Sequence, residues 1–585
     1  MAESPIYVLK FGSSVLRDAA ALPEAVHEIY RRVREGARVV AVVSALGPTT
    51  DELLDEAAAY GCGPGLEPDA NAIAALVATG ESRAVALLAL ALGRAGVLAR
   101  ALDSAAIGLR TTGPLLDGQT NSLDTEAIRA SLRLAPVLVI PGFLGRAPGG
   151  EISLLGRGGS DLTALFVAAE LGERCTLLKD VDGLYDRDPA GSDGGEARRY
   201  ETVSYEDVLA LSEGIVQHKA VRFARDRGLE FEVSCCAGTR GTTVGRRPSR
   251  KAAPAPAPRI LRVGLLGLGT VGRGVYDELC RQNSRFRVSG VLVRDVEKHI
   301  LAGIPERILT QEGETVVAPG AGETPDIVIE ALGGTQLAAP LVRLALGRGV
   351  HVVTANKQLI AEHGDELQTL AVRNGARLLY SAAVGGAVPM LEAAQRLRVQ
   401  GIQSIEGVVN GTTNYVLNRV SEGLAFGDAL AEAQRLGLAE SDPTDDIEGI
   451  DAARKLVLLC REAFGIRCQL SDISVRGIRG LGRAKECEVR WRLVARAERI
   501  GDRVKASVGP AEVGIDHPLA DLPGVRNSLV LTTTDGKREV VSGLAAGRSP
   551  TSESVLADVL QLRRECTFRE DATTAVSTRS QEVLA

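Results

Sequence analysis

Residues 259–279 read R-I-L-R-V-G-L-L-G-L-G-T-V-G-R-G-V-Y-D-E-L, and the interpretation of this stretch decides how the rest of the chain divides. An apolar strand from Ile260 to Leu266 meets a turn with glycine at 267, 269 and 272, and a helix is expected from about Val271. Gly267 permits the tight turn, Gly269 lets backbone approach a pyrophosphate, and Gly272 lets the helix pack on the strand. The N–H groups around Thr270 and Val271, at the positive end of the helix, would receive the phosphates. An ordinary glycine-rich turn between strand and helix has the same residues. The strand before, the helix after and the linker upstream favour a dinucleotide site, with a separate unit preceding it.

Downstream, a strand at Arg287–Val293 ends at Arg294, where a Rossmann fold meets the ribose of its ligand. Arginine there accommodates a 2′-phosphate, which favours NADP over NAD, although Asp295 beside it would favour the free hydroxyl. Further strands at Asp326–Glu330 and His351–Lys357 alternate with a helix at Pro340–Gly347, and the alternation closes at Pro389. Beyond it, L-G-L-A-E-S-D-P-T-D-D-I-E-G-I-D-A-A-R-K-L (Leu436–Leu456) is dense in carboxylates. Asp451 and Lys455 stand four apart and share one helix face, a spacing that equally suits a surface salt bridge.

Together G-L-G-T-V-G, E-A-L-G-G, V-V-T-A-N-K, V-G-G-A-V-P, N-G-T-T-N-Y-V-L and E-S-D-P-T-D-D-I-E-G-I-D-A-A-R-K resemble the homoserine dehydrogenases over residues 260–562. The resemblance implies that Lys357 and Lys455 flank an aldehyde, that Lys455 donates the proton and Asp451 orients it, and that Glu440 binds the amino end of the substrate. Asn356, Lys357 and Gly543 would join the glycine turn around the cofactor. It also implies a Na⁺ or K⁺ ion on the backbone carbonyls of Val384, Gly386 and Val388, with Ser381 where a glutamate often stands. Val540–Thr551 resembles the helix that returns to the nucleotide fold.

Upstream of the linker, the strand Ile6–Leu9 runs into K-F-G-S-S-V (Lys10–Val15), small residues after a strand with a lysine at its end, as suits a phosphate cradle or a plain strand end. A helix at Ala20–Glu35 and a strand at Arg38–Val43 lead to S-A-L-G-P-T-T-D (Ser44–Asp51). The strongest local signal is L-L-G-R-G-G-S-D-L-T-A-L (Leu154–Leu165), a polar glycine-rich turn carrying Arg157, Ser160 and Asp161 before an alanine-rich helix. C-T-L-L-K-D-V-D-G-L-Y-D-R-D-P (Cys175–Pro189) follows, a strand breaking into an acidic loop.

These motifs, with T-G-E, P-G-F and a closing G-T-T-V, resemble the aspartokinase catalytic domain in order over residues 5–245, and R-G-G-S-D discriminates it within the amino-acid kinase superfamily. The resemblance implies transfer of the γ-phosphoryl of MgATP to the β-carboxylate of aspartate. Lys10 and the N–H groups near Gly12 would stabilise the transferring phosphoryl. Ser44, Glu81, Arg157 and Asp161 would hold aspartate, and Asp180 and Tyr185 would lie along the nucleotide. Phosphoryl transfer asks for positioning and charge neutralisation, which such residues supply. The chain departs from the family at Gly12-Ser13, at Lys179 in place of threonine, at Ala190 after D-P, and at Gly214–Lys219, where a lysine is missing. Lys179 or Lys219 is expected to supply that charge. No ACT regulatory domains separate the kinase motifs from the linker, so inhibition by lysine or threonine through such domains is not expected.

At 585 residues the chain exceeds one core, and its 45% hydrophobic and 24% charged content is that of a globular protein. A net charge of −6 offers no basic patch for nucleic acid. No apolar run is read as a membrane span and no signal peptide precedes the first strand. Nine cysteines without metal spacing point to a reduced, cytoplasmic protein. The expected fold class is α/β. An amino-acid-kinase αβα sandwich (1–247) and an Ala/Pro linker (248–258) come first. A Rossmann domain (259–390) follows, with an inserted α+β catalytic and dimerisation domain (391–540), a return to the nucleotide fold (541–565) and a loosely ordered tail (566–585). The expected function is bifunctional: phosphorylation of aspartate, and NADP- or NAD-dependent reduction of aspartate semialdehyde to homoserine, in a homodimer or homotetramer. The alternative is an active dehydrogenase carrying a non-catalytic kinase-like scaffold.

Overall fold

The computed structural model describes residues 4–61, 68–189, 197–211, 215–253, 259–320, 324–482, 488–544 and 547–584, the last of these without side chains from 568. Ala190, Gly214 and residues 254–258 of the Ala/Pro linker lie outside the described residues. Contacts divide the chain into two compact units. One is Pro258–Arg563 with Ala95–Val97, and the other is Ala2–Arg94, Leu98–Ala257 and Arg564–Ala585.

The N-terminal unit is built on a nine-stranded sheet whose central strands Arg174–Lys179, Ile6–Phe11, Arg38–Val43 and Val137–Pro141 run parallel. Their near-continuous apolar runs are those of strands covered on both faces: Val39 to Val43 are all fully buried. The helix Leu22–Arg34 turns Ala25, Val26, Ile29, Tyr30 and Val33 inward, the spacing of an amphipathic helix. Because parallel strands end on one edge, Lys10, Ser44 and Lys179 arrive at the same side of the sheet. A smaller four-stranded sheet runs Gln119–Ser122, Arg110–Thr112, Leu144–Arg146, Ile152–Leu154.

Two expectations for this unit are corrected. Arg250–Lys251, placed in the linker from the Pro/Ala-rich composition around it, forms an edge strand paired with Tyr200–Ser204. Lys251 Nζ lies 2.6 Å from Asp186 Oδ2, so side-chain pairing outweighs the local composition. The helix Ala70–Arg94 is long and apolar enough to cross a membrane by length and composition, although no such run was expected. It packs against the strands Val137–Pro141 and Ile152–Leu154, burying Val77, Val85, Leu88 and Leu92 among others.

The second unit contains a six-stranded parallel sheet in spatial order Leu309–Thr310, Phe286–Leu292, Leu261–Leu266, Ile327–Glu330, His351–Thr354, Leu378–Leu379. In chain order this is 3-2-1-4-5-6, the Rossmann arrangement, with its switch point between Leu261–Leu266 and Ile327–Glu330. A second six-stranded, mainly antiparallel sheet follows, running Ile473–Val475, Arg503–Gly514, Val489–Ile500, Ile402–Val408, Arg526–Thr533, Arg538–Leu544. The helices Gly411–Ser421 and Ile450–Phe464 pack on it. One continuous apolar core joins the two sheets, from Val328 and Val352 to Leu456, Leu459 and Leu529.

The chain returns to the nucleotide fold later than the sequence suggests. Gly543 sits in the strand Arg538–Leu544 opposite Asn527, not on a returning helix, because its segment alternates as a strand and completes the second sheet. The returning helix starts at Arg548. Its Ser552 hydroxyl donates to Val271 O at 3.2 Å, and Arg548 pairs with Asp277 at 3.0 Å. The tail, expected to be loosely ordered from 566, continues this helix to Leu584, since neither proline nor glycine interrupts it after Pro550.

Candidate active sites

The glycine turn is built as its residues require. Gly267 has φ +100°, a conformation side chains rarely adopt, and a Cβ on Gly272 would stand 2.2 Å from Gly267 O. A Cβ on Gly269 would meet nothing within 4 Å, which leaves an open face where a ligand approaches. The helix Thr270–Arg281 starts at Gly269 without a side-chain cap, so its first N–H groups point at that face. Gly267 N donates to Leu292 O at 3.1 Å, which sets the turn beside the end of the second strand. There Arg294 is exposed. Asp295, its rival in the sequence, caps the helix Val296–Leu301 by accepting from Lys298 N at 3.0 Å. These residues fit a dinucleotide.

Around the switch point a buried network fixes the loops. Glu330, fully buried at its strand end, accepts from Leu332 N at 2.8 Å and from the Thr354 hydroxyl. Burial pushes its carboxyl up despite these bonds. Asn356 donates to Gly334 O at 2.6 Å and caps the helix Lys357–Arg373 through Leu359 N at 3.0 Å. Lys357 therefore opens a helix, where the sequence suggested a strand end.

Its ammonium reaches Asp451, which sits in the first turn of Ile450–Phe464 after the left-handed Gly449. Lys455 Nζ lies 2.8 Å from the other carboxylate oxygen and donates to Val409 O at 2.7 Å. Asn410, a residue the sequence reading did not single out, donates to Asp451 at 2.8 Å and to Asp446 at 2.6 Å. Its one advance signal was its position as the cap of Gly411–Ser421, before G-T-T. Burial would raise the Asp451 pKa, but the two ammonium groups outweigh it and hold the carboxyl well below the usual carboxylate range. Burial works against the Lys357 charge, and Asp451 in turn holds its pKa above the ordinary value. The result is a fixed pair of cations on one carboxylate, each with N–H groups left to polarise a carbonyl. Glu440 is exposed on the loop before this helix and takes part in none of these bonds.

Val384, Gly386 and Val388 lie in one tight turn, with Gly386 at φ +53° and Val388 O accepting from Met390 N at 2.7 Å. Ser381 gives its N–H (3.1 Å) and its hydroxyl (2.9 Å) to Asp558, a buried carboxylate on the C-terminal helix.

The N-terminal unit repeats the carboxylate-and-two-lysines theme. Asp161 lies in the first turn of Gly159–Leu171, after Gly158 at φ +78°. Lys10 Nζ stands 2.7 Å from its Oδ1 and Lys179 Nζ 2.9 Å from its Oδ2, and all three residues are largely shielded. Lys10 lies over Gly12, where a Cβ would come within 2.8 Å of its Nζ. Glu81 is buried, and its Oε2 has no hydrogen-bond partner among the described residues. Burial pushes its pKa up to about 8, against a backbone hydrogen bond from Ala45 and the charge of Lys10. Ser44 is half-buried at its strand end, while Arg157 and Asp180 are exposed. Tyr185 donates to Asp182 at 2.6 Å. Of the two lysines offered for the missing charge, the structure brings only Lys179 to Asp161. Lys219 is bonded to Leu155 O (2.7 Å), Asp117 (2.8 Å) and Gly118 O (3.2 Å), and so holds the turn that precedes Arg157. Among the described residues no group of three or more His, Cys, Asp or Glu is arranged to hold a metal ion.

Comparison with known proteins agrees with this division. The amino acid kinase family matches residues 5–231, the NAD-binding domain of homoserine dehydrogenase residues 267–381, and the homoserine dehydrogenase family residues 389–560. A homoserine dehydrogenase of Synechocystis is 35% identical over 329 residues, covering 52% of this chain and 73% of that protein. An NAD(+)-dependent homoserine dehydrogenase of Pseudomonas canavaninivorans is 37% identical over 243 residues, covering 40% and 69%. The crystal structure of a homoserine dehydrogenase from Thiobacillus denitrificans shares 37% identity at a TM-score of 0.50, covering 53% of this chain and 75% of that one. The chain thus belongs to the homoserine dehydrogenase family, and carries that dehydrogenase fused to an amino acid kinase domain in the arrangement of a bifunctional aspartokinase/homoserine dehydrogenase.

Proposed function

We propose that the C-terminal half reduces aspartate semialdehyde to homoserine, and that the N-terminal half phosphorylates the β-carboxylate of aspartate. The observation that carries the dehydrogenase reading is the Lys357–Asp451–Lys455 cluster, in one unit with an uncapped helix start behind the glycine turn. NAD(P)H bound at that turn would supply the hydride. Lys357 and Lys455 orient and polarise the aldehyde oxygen, and Lys455 Nζ gives it a proton as charge develops there. Asp451 holds both ammonium groups in place and holds the pKa of Lys357 above its ordinary value. Arg294, with Asp295 engaged as a cap, favours the 2′-phosphate of NADP. A Na⁺ or K⁺ ion would take carbonyl oxygens of Val384, Gly386 and Val388, with the charge of Asp558 reaching the turn through Ser381.

In the kinase unit, Lys10 and the first-turn N–H groups of Gly159–Leu171 would neutralise the γ-phosphoryl of MgATP. Arg157 would grip the carboxylate of aspartate, and Glu81, uncharged at neutral pH until an ammonium arrives, would take its amino group. Two assays on one preparation of the full chain test both halves. Expected are aspartate-dependent ADP release and semialdehyde-dependent oxidation of NADPH or NADH. A chain that oxidises NAD(P)H yet releases no ADP with aspartate would leave a dehydrogenase on a kinase-like scaffold. A chain inert towards the semialdehyde would overturn the dehydrogenase reading.

A further inference from the structure

Asp161 is one carboxylate serving two ammonium groups, and all three are withdrawn from solvent: Lys10 is 7% exposed, Lys179 11% and Asp161 3%. The buried trio therefore has one positive charge in excess, at the carboxyl ends of parallel strands, with the exposed Asp180 beside Lys179, and the uncapped start of Gly159–Leu171 adds to the positive side. An excess buried charge is unfavourable until an anion joins it. Lys219, the other lysine near the turn, is committed to two carbonyls and Asp117. Lys179 has no such anchor. At the end of its strand, its ammonium is bonded only to Asp161 among the described residues.

We propose that Lys179 is a second catalytic cation of the phosphoryl transfer, released from Asp161 to the γ-phosphoryl oxygens beside Lys10, while the Asp161 carboxylate stays paired with Lys10. This rests on the kinase reading above and adds to it the group that balances the transferring charge. In the step, the bond from the γ-phosphorus to the β,γ-bridging oxygen breaks and its electron pair leaves on ADP. A bond forms between that phosphorus and the acceptor carboxylate oxygen, and no proton changes hands. Lys179 neutralises the equatorial oxygens in passage, where the charge is spread. Burial and the nearby charge of Lys10 lower its pKa against the pull of Asp161 and of the adjacent Asp180.

The test uses the full chain with Lys179→Met and Lys179→Arg, measuring aspartate-dependent ADP release, KM for aspartate and thermal melting. Expected is a fall in kcat of about 100-fold in Lys179→Met. Its KM for aspartate should stay within threefold, its melting should match the wild type, and Lys179→Arg should recover at least a tenth of the wild-type rate. A Lys179→Met enzyme that keeps kcat within threefold, or loses activity only through KM, overturns the role of Lys179 and leaves the kinase reading standing. A variant that melts early with no rescue by arginine makes Lys179 structural and overturns the proposal too. A wild-type chain that releases no ADP with aspartate overturns the kinase reading, and the proposal with it.

Discussion

Asp451→Asn is the perturbation that probes the dehydrogenase site most sharply, because it changes charge with almost no change of shape. The carboxylate accepts from Lys357, Lys455 and Asn410 while only 3% exposed. Asparagine keeps one acceptor oxygen and turns an NH₂ group towards an ammonium. One charge-assisted bond is lost, at about 1.5–3 kcal/mol, and both lysines lose their counter-charge. Breaking a fully buried pair removes roughly 3–5 kcal/mol. Since Lys357 is 40% exposed, solvent screens part of this, and about 3 kcal/mol of stability should go. The Lys357 pKa moves with it. Asp451 is what raises Lys357 above its ordinary value, so without it burial dominates and the pKa falls. Because Lys357 polarises the aldehyde only as an ammonium, the alkaline limb of the semialdehyde-dependent rate should therefore shift to lower pH. The plateau kcat should drop about 100-fold or more, as expected when a proton donor is misplaced. The assay is NAD(P)H oxidation across pH, with urea unfolding on the same samples. A variant that holds kcat within threefold and keeps the wild-type alkaline limb would show that Asp451 does not organise the two lysines.

Three further outcomes follow from the geometry. Gly272→Ala puts a Cβ 2.2 Å from Gly267 O, so backbone must move, and calorimetric affinity for NADPH should fall at least tenfold; unchanged affinity would remove the glycine turn from the cofactor site. Arg294→Ala should raise KM for NADPH about tenfold and leave KM for NADH within twofold, since it deletes a 2′-phosphate partner; equal effects on both would assign Arg294 no part in discrimination. Glu81 has a folded pKa raised from 4.5 to about 8, so its contribution to stability is fully present below the unfolded value and is lost as pH rises through about 8. Relative to Glu81→Gln, the wild type should lose on the order of 4 kcal/mol between pH 5 and pH 9, and parallel stability curves would contradict the burial argument.

Much of this was legible in the sequence where the chemistry is local. The glycines at 267 and 272 sit in the positions their spacing assigns, because φ and Cβ clearance are properties of a few consecutive residues. Asp451 and Lys455 pair across one helical turn for the same reason. Side chains that meet across the fold were less visible. Lys357 and Asp451 are 94 positions apart, and only the joint core of the two sheets brings them together. Asn410 reads as a helix cap, and its second bond, to Asp451, depends on where that helix lands. Lys179 and Lys219 were equivalent as isolated lysines, and the strand end that carries one and the turn that captures the other tell them apart. Composition misled at Arg250–Lys251, where an edge strand outweighs a linker-like neighbourhood, and at Gly543, where alternation prevails over an expected helix.

The central claim is that this polypeptide carries two separate nucleotide sites, each organised by a buried first-turn aspartate holding two lysines. The most direct measurement is both activities in Asp161→Asn and Asp451→Asn of the full chain. Asp161→Asn is expected to lose aspartate-dependent ADP release while semialdehyde reduction continues, and Asp451→Asn to do the reverse. Loss of both activities in either correctly folded variant, or of neither in both, would contradict that claim.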